Sequence, residues 1–261
     1  MKKQIIIEQP FKVLASGEGW LAVDKPAGMS VHNDPGKDLC TRLSQRLQTE
    51  AALRATTGLG ANSRLNAAHR LDRETSGVIL LAGDRAVLNH FAAQFEARTV
   101  HKQYAALLHG HLPESGGPDP WRSWTWSLTK TPGGRKDPQG KGPRKACTTL
   151  VRVLDYSAHY TLAECRLLTG RKHQIRRHAK LAGHPVVGDH RYGPKRALAF
   201  LRDKQHFTRL GLHASRLEIQ LPDGSPGVIH SLALPGEMQS LFAEDGQTAG
   251  LNTPAQPSGL S

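Results

Sequence analysis

The stretch His69-Arg70-Leu71-Asp72-Arg73-Glu74-Thr75-Ser76-Gly77 runs directly into Val78-Ile79-Leu80-Leu81-Ala82. An apolar run of that length, opening on two β-branched residues, reads as a buried strand, and the charged segment before it reads as a loop. A buried strand is a rigid mount, and a loop at its mouth holds reactive side chains out to a ligand. Asp72 lies between Arg70 and Arg73. Neighbouring guanidiniums favour the ionised carboxylate, which can then serve as nucleophile or base. On their own, the same residues also fit a surface charge cluster anchored in the core by Leu71.

The segments around this loop read as short strands with a few helices, an α+β pattern. Residues 11–25 form a strand, a Gly-containing turn and a second strand, and Pro26 and Gly28 then shape a tight turn. Leu39, Leu43 and Leu47 recur every fourth residue, so 38–54 is predicted as one amphipathic helix with Asp38 as N-cap, followed by a loop over 55–66. A second helix is predicted over 84–98 behind Asp84, and His101–Gly110 reads as a strand carrying Tyr104. Residues 147–154 and 159–168 alternate as a hairpin, and a basic helix follows Thr169-Gly170. Residues 245–261, rich in Gly, Thr, Pro, Ser and Ala, are expected to be a disordered tail behind a single domain over 1–244.

Charge narrows the partner. The formal net charge is +13, which favours a polyanion. No apolar run approaches the roughly 18–20 residues of a membrane span, and Ile5-Ile6-Ile7 is too short for a signal peptide core. Nucleic acid is therefore preferred to a membrane. Two stretches concentrate the charge. Between Lys130 and Lys145 six basic residues, Lys136, Lys141 and Arg144 among them, stand against one Asp, in a Pro- and Gly-rich segment after Trp121, Trp124 and Trp126. It reads as a mobile loop able to follow a phosphate backbone and to stack aromatics on bases. Between Arg166 and Lys180 six basic residues occur with no acid, so a counter-charge is expected, a carboxylate on one side and phosphate on the other. Cys40, Cys147 and Cys165 are widely spaced, and no His-x-x-x-His or Cys-x-x-Cys pattern occurs. Neither a disulfide framework nor a metal site is expected, and a reducing, cytoplasmic setting fits.

Several strings share a common likeness. His69-Arg70-Leu71-Asp72, with Thr75-Ser76-Gly77, resembles the signature of the RluA-type pseudouridine synthases. Asp24-Lys25-Pro26-Ala27-Gly28 is similar to their first motif, with Asp24 where Asn is usual. Lys102-x-Tyr104 before an apolar strand and Gly110 resembles the motif that carries an active-site tyrosine. Thr169-Gly170-Arg171-Lys172-His173-Gln174-Ile175-Arg176 resembles the third motif, with Lys172 where Thr or Ser is commoner. Gly183-His184-Pro185, Gly188-Asp189, Tyr192-Gly193 and Leu212-His213-Ala214 continue the likeness in order.

The resemblance implies a mixed, largely antiparallel central sheet flanked by helices, with an active-site cleft between two halves of one domain. It implies isomerisation of uridine to pseudouridine in structured RNA, ribosomal or transfer, with a slight lean toward transfer RNA. Asp72 would be the nucleophile, attacking C6 of the base or C1′ of the ribose. Arg176 would pair with it, and Tyr104 would stack on the base and take the C5 proton. Ile175 would form an apolar wall, while Arg70 fills the space of the flipped base and His69 steadies the displaced nucleotide. Arg73, Lys102, Arg171, Lys172, His173 and Arg177 would meet RNA, as would Lys136, Lys141 and Arg144 of the loop. The reaction needs no cofactor or metal. An accessory N-terminal RNA-binding module is expected to be absent, and the chain to act as a monomer without a protein partner. The competing reading is a structured-RNA-binding protein without catalysis.

Overall fold

The computed structural model describes residues 11–231 and 233–251. In chain order the first elements are β1 (Lys12–Gly17), β2 (Trp20–Lys25), α1 (Leu39–Thr49), α2 (Ala51–Thr57), β3 (Asn66–Ala67), β4 (Ser76–Ala82) and α3 (Arg85–Ala97). Next come β5 (His101–His109), β6 (Arg122–Trp124), β7 (Leu128–Thr129), β8 (Arg144–Lys145), β9 (Thr149–Tyr156), β10 (Tyr160–Leu167), α4 (Gln174–Leu181) and α5 (Lys195–Lys204). The chain ends with β11 (Leu212–Gln220), β12 (Pro226–His230) and α6 (Gly236–Leu251). The fold is α+β. The strand pairs below are all antiparallel, and no helix among the described residues is long and apolar enough to cross a membrane.

The chain divides into two compact units, one holding the described residues up to Val100 with Arg216–Ser231, the other His101–Ser215 with the described residues from 233 on. In the first unit β2 pairs with both β1 and β4, and Lys25 lies opposite Gly77 in the register. Every residue of β4 is buried. The two-residue period of a strand explains how. Leu21, Val23, Ile79 and Leu81 share one core with Leu39, Leu43 and Leu47 of α1. Trp20, Ala22, Val78, Leu80 and Ala82 share the other with Phe91 of α3 and Leu217, Ile219 and Ile229 of β11 and β12. A strand covered on both faces has no polar side, hence the unbroken apolar run.

Asp38 caps α1 by accepting from the Thr41 amide, and Asp84 caps α3 by accepting from that of Val87. The single helix expected over 38–54 is two. Glu50 leaves helical geometry (φ −101°, ψ 98°), ends α1 and starts α2, while its carboxylate takes the Arg46 guanidinium in a two-pronged grip. Helical turn therefore extends to Thr57, into the segment expected as loop.

In the second unit the sheet order is β5-β10-β9-β6. Leu107, Tyr160, Val187, Leu201, Phe207, Met238 and Leu241 form its core cluster. Part of the segment expected as a tail, residues 245–251, is helical. It continues α6, and Asp245 accepts from the Ser157 hydroxyl (2.6 Å) and the His159 amide (2.7 Å). Composition pointed the other way because Gly246 and Gly250 are poor helix formers, and the bonds at Asp245 outweigh that preference. Residues 252–261 lie outside the described residues.

Candidate active site

Asp72 belongs to the first unit and is half-buried on a turn that the Thr75 amide closes by donating to the Asp72 carbonyl (3.1 Å). Both flanks of the turn are fixed. Leu71 packs against the core beneath α1. Lys25, fully buried, donates its ammonium to the carbonyls of Pro26 (2.9 Å), Met29 (2.8 Å) and Arg73 (3.0 Å). One lysine thus ties the turn after β2 to the backbone next to Asp72. The sequence reading credits this turn to Pro26 and Gly28 and misses Lys25. The available signal was a lysine ending a strand otherwise buried, where an ammonium must find oxygen acceptors.

The other loop residues divide by exposure. Arg70 and Arg73 are exposed, and Arg73 pairs with Asp34 at 2.6 Å. An open pair of this kind contributes little to stability and leaves Arg73 accessible. His69, expected to steady a displaced nucleotide, is engaged within the protein. Its ring stacks on Phe95 at 4.6 Å, and its Nε2 accepts from the Leu80 amide, so the neutral ring carries its proton on Nδ1.

Tyr104, Ile175 and Arg176 belong to the second unit. Tyr104 is 7% exposed on β5 and lies opposite Cys165 of β10. Lys102, two residues earlier on the same face of the strand, is half-buried. Ile175 and Arg176 sit in the first turn of α4, where residues 174–179 are all buried. Gln174 fixes the start of the helix. Its amide donates to the Thr148 carbonyl and the Thr149 hydroxyl, and its oxygen accepts from Thr169 and from the Arg171 amide.

Arg176 makes a two-pronged ion pair with Asp189, Nε to Oδ2 at 2.7 Å and Nη2 to Oδ1 at 2.9 Å. Both side chains are shut off from solvent. The sequence reading counts Asp189 in a motif but gives it no role, although a buried arginine calls for a carboxylate partner. Tyr192 lies with its ring centroid 5.5 Å from the same guanidinium, and its hydroxyl meets His173 Nδ1 at 3.1 Å.

Arg177, expected to touch RNA, is fully buried. It donates to the carbonyls of Thr129, Pro138, Gln139 and Lys172 and to the Thr129 hydroxyl. Burial lowers its pKa from the usual guanidinium value. It is a fastener for the segment after β7, not an RNA contact. His178 beside it is also buried. Its Nε2 meets the Trp126 carbonyl at 2.9 Å, an oxygen that only accepts, so this nitrogen carries the proton and Nδ1 accepts from Thr149. The basic loop expected to be mobile is therefore tied down. Arg191 holds the carbonyls of Pro132 and Gly133, and Arg135 in return holds those of His190 and Gly193. Its outward cations Lys136, Lys141 and Arg144 are exposed, as is Lys172, while Arg171 and His173 are half-buried. Of the tryptophans, Trp124 is buried, Trp126 is open, and Trp121 lies against the guanidiniums of Arg152 and Arg166.

The sequence profile of the family described as RNA pseudouridylate synthase matches residues 19–181, from the first hairpin through α4. The chain belongs to this family. Among curated pseudouridine synthases it is 32% identical to ribosomal large subunit pseudouridine synthase D of Xanthomonas campestris, covering 90% of this chain and 69% of that protein. It is 34% identical to ribosomal large subunit pseudouridine synthase C of Vibrio cholerae, over 77% of this chain and 59% of that one. An uncharacterized RNA pseudouridine synthase of Chloroflexus aurantiacus is 33% identical over 85% of this chain and 65% of its own length. The chain thus spans about two thirds of the length of these curated relatives. Among solved structures, human RNA pseudouridylate synthase domain containing 1 superposes with a TM-score of 0.70 at 21% identity, covering 99% of this chain and all of that one. Its human counterpart containing 4 gives 0.66 at 24%, covering 89% and 92%. These two likenesses establish the pseudouridine synthase fold.

Proposed function

We propose that this chain isomerises uridine to pseudouridine in structured RNA, with ribosomal RNA as the substrate class. The observation that carries the reading is the turn at Asp72, seated by Leu71 on one side and gripped by Lys25 on the other, in a member of this family. A carboxylate on so fixed a turn is pre-organised for attack. The names of the Xanthomonas and Vibrio relatives favour ribosomal over transfer RNA.

Asp72 is the nucleophile, adding to C6 of the base or promoting departure of uracil from C1′. The N1–C1′ bond breaks, the base turns, and a C5–C1′ bond forms. The proton on C5 leaves and N1 gains one, so atoms and electrons balance without a cofactor. Arg176 supplies the counter-charge for the reacting carboxylate. Tyr104 stacks on the base and takes the C5 proton. The target base leaves its stack to be reached, and Arg70 fills the gap. Arg73, Lys102, Arg171, Lys172, Lys136, Lys141 and Arg144 contact the surrounding RNA, and Ile175 walls the base.

The test is pseudouridine mapping of ribosomal and transfer RNA from cells with and without the gene, by carbodiimide modification and primer-extension stops. A stop lost on deletion, restored by the wild-type gene and not by Asp72→Asn, supports the reading. If purified protein binds RNA yet leaves every site unmodified, the competing reading of an RNA-binding protein without catalysis holds instead.

A further inference from the structure

The Arg176–Asp189 pair is built more carefully than a buried ion pair requires. Asp189 Oδ1 also accepts from the backbone amides of Arg191 (2.9 Å) and Tyr192 (3.0 Å). The carboxylate is thus fixed by its own turn before the arginine arrives. That turn is sterically specified. Gly188 has φ +73°, and a Cβ there would run into the Arg209 carbonyl. A Cβ on Gly193 would come within 2.6 Å of the Asp189 carbonyl oxygen. On the arginine's side, Gln174 anchors the start of α4 to β9 and Tyr192 lies against the guanidinium. Two prongs and an aromatic ring fix both the plane and the rotation of one guanidinium.

Stability alone is a poor reason for such a pair. Desolvating two charges roughly cancels their attraction, and apolar residues of similar volume do as well. What a two-pronged pair supplies and an apolar pair does not is orientation. We infer that Asp189 is a positioning residue of the isomerisation, holding the Arg176 guanidinium in a single orientation on which the rate depends. The pair engages Nε and Nη2 of the guanidinium. This role rests on the isomerase reading above.

Asp189→Asn tests it. The variant keeps the volume and an oxygen for the two backbone amides, but its amide nitrogen cannot accept from Arg176. The assay is single turnover with enzyme in excess of a ribosomal RNA fragment carrying the mapped site. Under those conditions a smaller folded fraction does not lower the limiting rate constant, whereas a misplaced arginine does. The limiting rate is expected to fall about 100-fold, the scale of an ångström-level misplacement, with RNA affinity unchanged because neither partner reaches the surface. Arg176→Lys serves as a second variant, since it keeps the charge and loses the fork. It should be slowed as well, and the double variant should be no slower than the worse single one. A limiting rate close to wild type in either single variant, or additive losses in the double, overturns the role of Asp189. Wild-type protein that makes no pseudouridine from this RNA overturns the isomerase reading itself and the role with it.

Discussion

Arg177→Met separates a fastener from an RNA contact. The substitution keeps an apolar stem of similar length and removes every donor. Five acceptors lose the guanidinium: the carbonyls of Thr129, Pro138, Gln139 and Lys172, and the Thr129 hydroxyl. They are not equivalent. The Gln139 carbonyl keeps the Thr129 amide and hydroxyl as donors, and Lys172 is exposed, so water can reach it. The loss falls mainly on the buried carbonyls of Thr129 and Pro138, at about 1–3 kcal/mol each. Removing a buried charge returns part of that through its desolvation. A net destabilisation of roughly 3 kcal/mol follows, or a melting point lower by about 6–12 °C for a chain of this size. The assay pairs thermal unfolding with the salt dependence of RNA binding. Arg177→Met should melt early while its folded protein keeps the wild-type slope of log K against log salt. Alanine at Lys136, Lys141 and Arg144 together should do the reverse, lowering the slope by up to roughly 2–3 with little change in melting. Arg177→Met with an unchanged melting point and a slope reduced by about one would refute the assignment.

Lys25→Met should release the backbone at Arg73. Amide hydrogen exchange over residues 70–75 should quicken and isomerisation should slow, whereas wild-type protection would show that something else holds the turn. At Asp245, burial pushes the carboxyl upward, but hydrogen bonds from Ser157 and His159 outweigh it, and its pKa lies below the ordinary carboxylate value. A depressed folded pKa contributes stability that is present above the unfolded value, about 3.9, and is lost as pH falls through the folded one. Asp245→Asn should therefore destabilise α6 near neutral pH, and its difference from wild type in denaturant melts should shrink below about pH 4; a constant difference would contradict this.

Local signals carried the framework. The apolar run of β4 and the caps Asp38 and Asp84 depend on neighbours in sequence, and they occur where the pattern predicts them. The errors come from contacts a linear pattern does not contain. The four-residue spacing that placed α1 does not reveal that Glu50 turns back on Arg46 and splits the helix. The seating of the Asp72 turn was legible for the same reason, because Leu71, which anchors it, is adjacent to Asp72. Lys25 was not, because its grip on Arg73 spans 48 residues. Asp189 and Arg176 are 13 apart, but the bond between them depends on a turn whose shape is set by clashes at Gly188 and Gly193.

The basic run ending in α4 shows why charge counting misplaces an RNA surface. A guanidinium is satisfied by phosphate, by carboxylate or by carbonyl oxygens, and a sequence reports the donor without its acceptor. Adjacent helical residues point about 100° apart. Arg176 thus turns to Asp189, and Arg177 turns to the carbonyls around Thr129 and Pro138. Neither is left to meet a polyanion on the surface. The expected counter-charge exists for the first, and the second needs none, because a cluster of carbonyl dipoles replaces it. What remains accessible is Lys172 at the entrance of the helix and the exposed cations of the loop that Arg177 fastens. The helix therefore contributes to the proposed RNA face indirectly, by fixing the loop whose lysines and arginine face solvent. Arg177→Met should accordingly impair RNA engagement only to the extent that the loop comes loose.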